Sequence, residues 1–298
     1  MKIVDKTVQV AGKITDKLLG YIISFVGAIG YLKLFYSNNI GKADWAGKKA
    51  GFSLSFDCDY TKDIKSLPAL LNILSRYSIS ASFACVGKLI EKYPQEHLEI
   101  IKAGHEILNH TYTHPNNEEL NLSQKFNELN STQKKIEIEK CHKICVDLLG
   151  YSPIGFRTPH FGSFHTKDIY EILNSLGYKY SSSVSAVKTL SSGLPFIVNG
   201  VTELPVSNCP EHPLAIFDSW HSLARGNGKH KGGGVFYNLF KQLIDIGIST
   251  NSYINIYFDP QDVVGNNDFK LMLEYLDSNR KDINIVNYKK LLQRQNAR

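Results

Sequence analysis

Three short stretches of this chain carry side chains suited to hydrolytic metal chemistry. Ser55-Phe56-Asp57-Cys58-Asp59 ends an apolar run in two carboxylates. Carboxylates at the end of a hydrophobic strand are costly to bury unless a cation or water compensates them. Asn109-His110-Thr111-Tyr112-Thr113-His114-Pro115 places two imidazoles four residues apart, close enough to converge on one ion. Gly155-Phe156-Arg157-Thr158-Pro159-His160 adds a permanently charged guanidinium. Each stretch alone has an ordinary explanation: Asp-x-Asp caps turns and helices, paired histidines sit on surfaces or in cores, and an arginine near a proline is usually structural. Together and in order they supply one Asp and two His, a three-ligand metal site with open positions.

The elements that must position these residues follow from periodicity. From Gly51 onward, short apolar runs alternate with helical patterns, the signature of repeated βα units. Strands are predicted at Phe52–Asp57, Ser80–Cys85, His105–Asn109, Ile154–Phe156, Tyr178–Ser182, Val201–Leu204 and Tyr253–Phe258. Helices are predicted at Asp63–Arg76, Pro94–Ala103, Ser123–Leu149, Phe236–Ile246 and Asp268–Leu276. The expected fold is α/β, a distorted (β/α) barrel with about seven parallel strands. In such barrels reactive groups sit at the C-terminal ends of the strands, where the three stretches fall.

The longest specific match is to a known family. Ala103-Gly104-His105-Glu106-Ile107, running into His110-Thr111-Tyr112-Thr113-His114-Pro115, resembles the histidine motif of the polysaccharide deacetylases, which share the chitooligosaccharide deacetylase homology domain. The resemblance extends from about Gly51 to the end of the chain. Most members begin with Thr-Phe-Asp-Asp-Gly; here Cys58 separates the carboxylates, as in an Asp-x-Asp branch of the family. The resemblance implies that Asp57 is the general base, that Asp59, His110 and His114 hold a divalent metal, and that Arg157 orients the base. His160 stands where tyrosine is usual, and its backbone N–H would contribute to an oxyanion hole. Phe217-Asp218-Ser219-Trp220-His221 is similar to the motif that supplies a pocket aromatic, Trp220.

One position departs from the family pattern. The usual histidine before proline, the acid that protonates the leaving amine, is replaced in Tyr257-Phe258-Asp259-Pro260 by Asp259. An aspartate can donate a proton there only if burial raises its pKa. His221, beside Trp220, is the preferred substitute, with a contact role equally open. The implied activity is hydrolytic removal of an N-acyl group, acetyl first among them, from an amino sugar of a glycan or glycolipid. Zinc is the first expectation for the metal, and cobalt, nickel or iron suit the same donors. The alternatives are hydrolysis of a small cyclic amide or imide, and a non-catalytic metal-containing glycan-binding protein.

Composition narrows the remaining classes. Of 298 residues, 43% are hydrophobic and 21% charged, which argues against disorder and against a multi-span membrane protein. The net charge of +6 suits anionic glycans, phosphates or a membrane surface. No basic stripe interleaved with aromatics points to nucleic acid. Residues 1–36 read as an amphipathic, then apolar, helical segment whose apolar run is too short for a clean span, so an interfacial helix or a helix packed on its own domain is expected. Residues 37–50 read as a polar linker and 51–298 as the catalytic domain. The expected location is the membrane surface or cell envelope, with the cytoplasm as alternative. Five scattered cysteines, Cys58, Cys85, Cys141, Cys145 and Cys209, do not form a disulfide framework and mildly favour a reducing environment.

Overall fold

Strand β1 (Ala50–Cys58) is buried along its whole length and alternates in an unusual sense. Phe52, Leu54, Phe56 and Cys58 join the hydrophobic cluster made with surrounding helices, including Leu67, Leu70, Leu243 and Phe269. The other face carries Ser53, Ser55 and Asp57, satisfied by hydrogen bonds: Ser53 Oγ donates to the Val286 carbonyl at 2.8 Å and Ser55 Oγ to that of Ile256 at 3.2 Å. The apolar seal thus lies between strands and helices, and the inner face is polar. Burying a phenylalanine such as Phe56 contributes on the order of 2–3 kcal/mol, so the helical layer holds the strand while its inner face stays available for chemistry.

The computed structural model describes residues 20, 26–160, 164–224, 230 and 233–296. After β1 come β2 (Ser82–Cys85), β3 (Glu106–Asn109), β4 (Gly155–Phe156), β5 (Tyr180–Ser181), β6 (Phe196–Val198), β7 (Val201–Glu203), β8 (Tyr253–Phe258) and β9 (Ile283–Ile285). The sheet order is β6-β7-β5-β4-β3-β2-β1-β8, with β9 also on β1. Every pairing is parallel except the β6–β7 hairpin. The sheet curls until β8 meets the chain beyond β7: Ser207 N donates to the Asn255 carbonyl at 2.8 Å, and Asn255 Nδ2 to that of Leu204 at 2.9 Å. The expected distorted barrel is therefore what forms.

The interior is threaded by side chains that reach across it. Tyr180 passes directly over Gly155, where a Cβ would lie 2.1 Å from the tyrosine ring, and its hydroxyl donates to Glu106 at 2.5 Å. Only glycine permits that approach. Tyr288, from the C-terminal helix Tyr288–Asn296, donates to Asn255 Oδ1 at 2.7 Å, and its hydroxyl oxygen lies 2.8 Å from Ser55 Oγ.

The predicted helix at Ser123–Leu149 is shorter than expected. It runs from Ser131 to Leu149, because Asn130 caps it: the Asn130 side chain accepts from Gln133 N while Gln133 Oε1 accepts from Asn130 N, both at 2.9 Å. This reciprocal box fixes the helix start. Strands β6 and β9 and the helices Gly87–Lys92 and Tyr288–Asn296 were not predicted, being short or weakly periodic. Most of the expected leader, residues 1–19 and 21–25, lies outside the described residues. The helix Ala28–Ser37 buries Tyr31, Leu32 and Tyr36 against the barrel. The stretch read as a linker is also held there: Trp45 stacks on Tyr253 with ring centroids 5.7 Å apart, and Asn39 Nδ2 donates to the Ser192 carbonyl at 2.8 Å. Among the described residues, no helix is long and apolar enough to cross a membrane.

Candidate active site

Asp57 and Asp59 lie at the end of β1, His110 directly follows β3, Arg157 follows β4 and Asp259 follows β8. All therefore stand at one rim of the barrel, at the C-terminal ends of parallel strands. Asp59 Oδ1 lies 3.2 Å from His110 Nε2, and Asp59 Oδ2 lies 3.3 Å from His114 Nε2. Ligand atoms about 2.0–2.1 Å from a tetrahedral ion stand roughly 3.3 Å apart, so these spacings suit one shared ion. Asp59 Oδ1, His110 Nε2 and His114 Nε2 are buried without a hydrogen-bond partner. Such orphaned polar atoms are expensive unless something charged meets them, and the donor set fits a divalent metal.

Neighbours fix how the three ligands are presented. The backbone carbonyl of Arg157 accepts from His110 Nδ1 at 2.8 Å, which places the ring proton on Nδ1 and leaves the Nε2 lone pair facing Asp59. The loop carrying His114 turns through three non-glycine residues with positive φ: Thr111 (65°), His114 (50°) and Asn116 (74°). Each costs about 1–3 kcal/mol and persists only where the surroundings enforce it. Here they do: Asn109 Oδ1 accepts from Thr111 N at 2.9 Å, and Glu137 Oε2 accepts from Tyr112 N and Thr113 N at 3.0 and 2.8 Å. Asn117 Nδ2 donates to the Asp59 carbonyl at 2.8 Å, tying the same loop to β1.

Asp57 is buried beside these ligands. Arg157 Nη1 donates to Asp57 Oδ1 at 2.5 Å, leaving Oδ2 turned towards His110 Nε2 at 3.9 Å. Arg157 is itself fully buried and held by the Ser182 carbonyl (3.0 Å), Ser55 Oγ (2.9 Å), Ser182 Oγ (3.0 Å) and Tyr288 OH (2.7 Å). Burial raises the Asp57 carboxyl above the ordinary carboxylate range, against the opposing pull of Arg157 and His110. Burial also works to raise Asp59, but the His114 and His110 imidazoles hold it well below that range. The two carboxylates are thus separated electrostatically into a more basic and a less basic group.

The remaining expected residues fall around this centre. The His160 ring lies 4.6 Å from that of His114, with φ of 46° and its Nε2 3.2 Å from the Asn116 carbonyl. Trp220 opens a π-helical turn, Trp220–Ala224, and is half exposed. Asp259 is partly buried; burial and the nearby carboxylates of Asp63, Asp59 and Asp57 hold its carboxyl well above the usual range. His221 belongs to a different group: its Nε2 lies 3.2 Å from His212 Nδ1 and its ring packs edge-on against His230. Sequence reading missed Asp63, whose carboxylate accepts from Asp59 N at 3.1 Å and from Tyr60 N at 2.9 Å and so shapes the turn that aims Asp59. An Asp at the third helical position of Thr61–Arg76 was the available signal.

Comparison with known proteins agrees with this geometry. Residues 46–181 match the family model described as polysaccharide deacetylase, and over that stretch the family resemblance seen in the motifs is shown. A peptidoglycan-N-acetylglucosamine deacetylase of Bacillus cereus is 32% identical over 112 residues, 38% of this chain and 37% of its own length. The chain thus spans little more than a third of that relative. Among solved structures, a polysaccharide deacetylase structure from Mycobacterium smegmatis aligns with a TM-score of 0.70 at 16% identity, covering 86% of this chain and 93% of that one. The allantoinase Puue aligns at 0.67 and 12% identity, over 85% and 92% of the two chains. At these identities the structural likeness establishes the fold.

Proposed function

We propose that this chain is a metal-dependent hydrolase acting on a carbon–nitrogen bond, one that removes an acetyl group from an amino sugar of a glycan. The observation that carries the reading is the convergence of Asp59, His110 and His114, with orphaned ligand atoms, beside a buried Asp57–Arg157 pair. A divalent ion held there supplies Lewis-acid polarisation of the amide carbonyl and makes water more acidic. Asp57 Oδ2, the carboxylate oxygen that Arg157 Nη1 does not engage, takes a proton from the attacking water. Hydroxide adds to the carbonyl carbon, and the backbone N–H of His160 donates to the developing oxyanion. Breaking the C–N bond releases acetate, and Asp259 gives its proton to the departing amine.

Asp259 is the proposed acid because burial and the carboxylates of Asp63, Asp59 and Asp57 hold its carboxyl above the ordinary range, whereas the His221 ring is turned into another cluster. Trp220, half exposed in the turn that follows Ser219, whose Oγ accepts from Asp259 N beyond β8, offers a ring face to a sugar. Zinc is the proposed metal, in line with an Asp-His-His set. The acetylated glycan of the cell envelope is the proposed substrate, as the name of the Bacillus cereus relative suggests. Replacing Asp57 with Asn should lower kcat by about 10²–10⁴-fold while metal content stays unchanged. An Asp57→Asn enzyme with wild-type turnover would remove Asp57 as the base.

A further inference from the structure

A second group of metal-ligating side chains lies outside the proposed catalytic centre. Cys209, His212, His221 and His230 each offer one donor atom, and these atoms all lie within 4.8 Å of one another. His212 Nδ1 lies 3.2 Å from His221 Nε2 and 4.0 Å from Cys209 Sγ. A tetrahedral ion with bonds of about 2.0–2.1 Å to nitrogen and about 2.3 Å to sulfur would set these separations at roughly 3.3 and 3.6 Å, so these two pairs need only a small adjustment. His230 is buried, and its Nδ1 has no hydrogen-bond partner. Its other nitrogen, Nε2, is 2.8 Å from Glu211 Oε2. A carboxylate on the outer nitrogen of an imidazole is the arrangement that orients a histidine towards a metal.

We propose that Cys209, His212, His221 and His230 form a second, closed metal site that takes a zinc-type divalent ion and fixes the wall of the barrel mouth. One thiolate and three imidazoles fill four tetrahedral positions and leave none for water, so the site is structural rather than catalytic. What it fixes is visible in the hydrogen bonds around it. His221 N donates to Asp218 Oδ1 at 2.5 Å, while Tyr257 OH donates to Asp218 Oδ2 at 2.9 Å. Asp259 N donates to Ser219 Oγ at 2.8 Å, and the Tyr257 ring lies 5.1 Å from the Arg157 guanidinium. The ion would therefore clamp one end of the turn that carries Trp220, and β8 already holds the other. The inference does not depend on which bond the enzyme cleaves.

The test uses the full chain, stripped of metal under reducing conditions and reconstituted with zinc alone or with cobalt(II) alone. Wild type should take up about two equivalents of zinc, and Cys209→Ser and His110→Ala about one each. The cobalt form should show a near-ultraviolet thiolate-to-cobalt charge-transfer band, because only the second site contains sulfur. That band should persist in His110→Ala and vanish in Cys209→Ser. Absence of the band from wild-type cobalt protein, or zinc uptake by wild type that His110→Ala abolishes altogether, would overturn the proposal. A band that survives Cys209→Ser would also overturn it, by placing the sulfur ligand elsewhere.

Discussion

At the scale of single residues, the chemistry depends on environments that separate like groups. Asp57, Asp59 and Asp259 share one rim, yet Asp59 is held well below the carboxylate range while Asp57 and Asp259 are held above it. Strand-end placement of the first two, of both histidines and of Arg157 was legible in the sequence, because side-chain type and order along successive strands carry that information. The proton donor was not, since its identity turns on burial and on which way His221 points. The second cluster escaped notice for a related reason. Cys209 and His212 stand three residues apart, but His221 and His230 each follow nine residues later, and such wide spacing does not imply proximity. If Asp259 is the acid, Asp259→Asn should reduce kcat by about 10²–10⁴-fold and remove the alkaline limb of its pH profile. Undiminished turnover in Asp259→Asn would exclude it.

At the scale of elements, strands were easier to read than their partners. β8 appears at the residues its pattern predicted, Tyr253–Phe258, and β1 extends the expected Phe52–Asp57 at both ends. β6 and β9 carry three residues each and could not be distinguished from loop. The helix Ala28–Ser37 is two-sided: Tyr31, Leu32 and Tyr36 are buried, whereas Ile29 and Leu34 are exposed, as are Val26 before it and Ile40 after it. Those outward apolar groups motivate the proposal that the N-terminal segment rests on a membrane surface. Since Tyr31, Leu32 and Tyr36 belong to the core, the test keeps the helix and replaces the exposed Val26, Ile29, Leu34 and Ile40 with polar residues. The unsubstituted chain is expected to sediment with membranes and the substituted one to be released. Complete solubility of the full-length chain would end the idea.

At the scale of the whole molecule, a polar interior makes stability sensitive to acid. His105 Nδ1 accepts a hydrogen bond from Ala81 N at 3.0 Å, which requires an unprotonated nitrogen. Burial, aided by Lys290, pushes its pKa down from 6.5 to about 4. The unfolded chain therefore binds the proton first as the pH falls. The contribution of His105 is complete above about pH 6.5 and is lost between there and about pH 4, a decline on the order of 3 kcal/mol. In urea unfolding measured across that window, His105→Asn, which keeps an acceptor but cannot titrate, should flatten the decline. His165, also pushed down to about 4 by burial, leaves a remainder. An identical pH dependence in wild type and His105→Asn would contradict this.

The barrel, its polar interior and the ligand triad at its rim together support one central claim, hydrolysis of an N-acetyl group at a metal held by Asp59, His110 and His114. The most direct measurement is acetate release from an N-acetylated amino-sugar oligomer by zinc-reconstituted protein, with a small cyclic imide assayed in parallel and His110→Ala as control. The account predicts acetate release that His110→Ala abolishes and no ring opening of the imide. Protein with metal bound at the Asp59, His110 and His114 site that releases no acetate would contradict it.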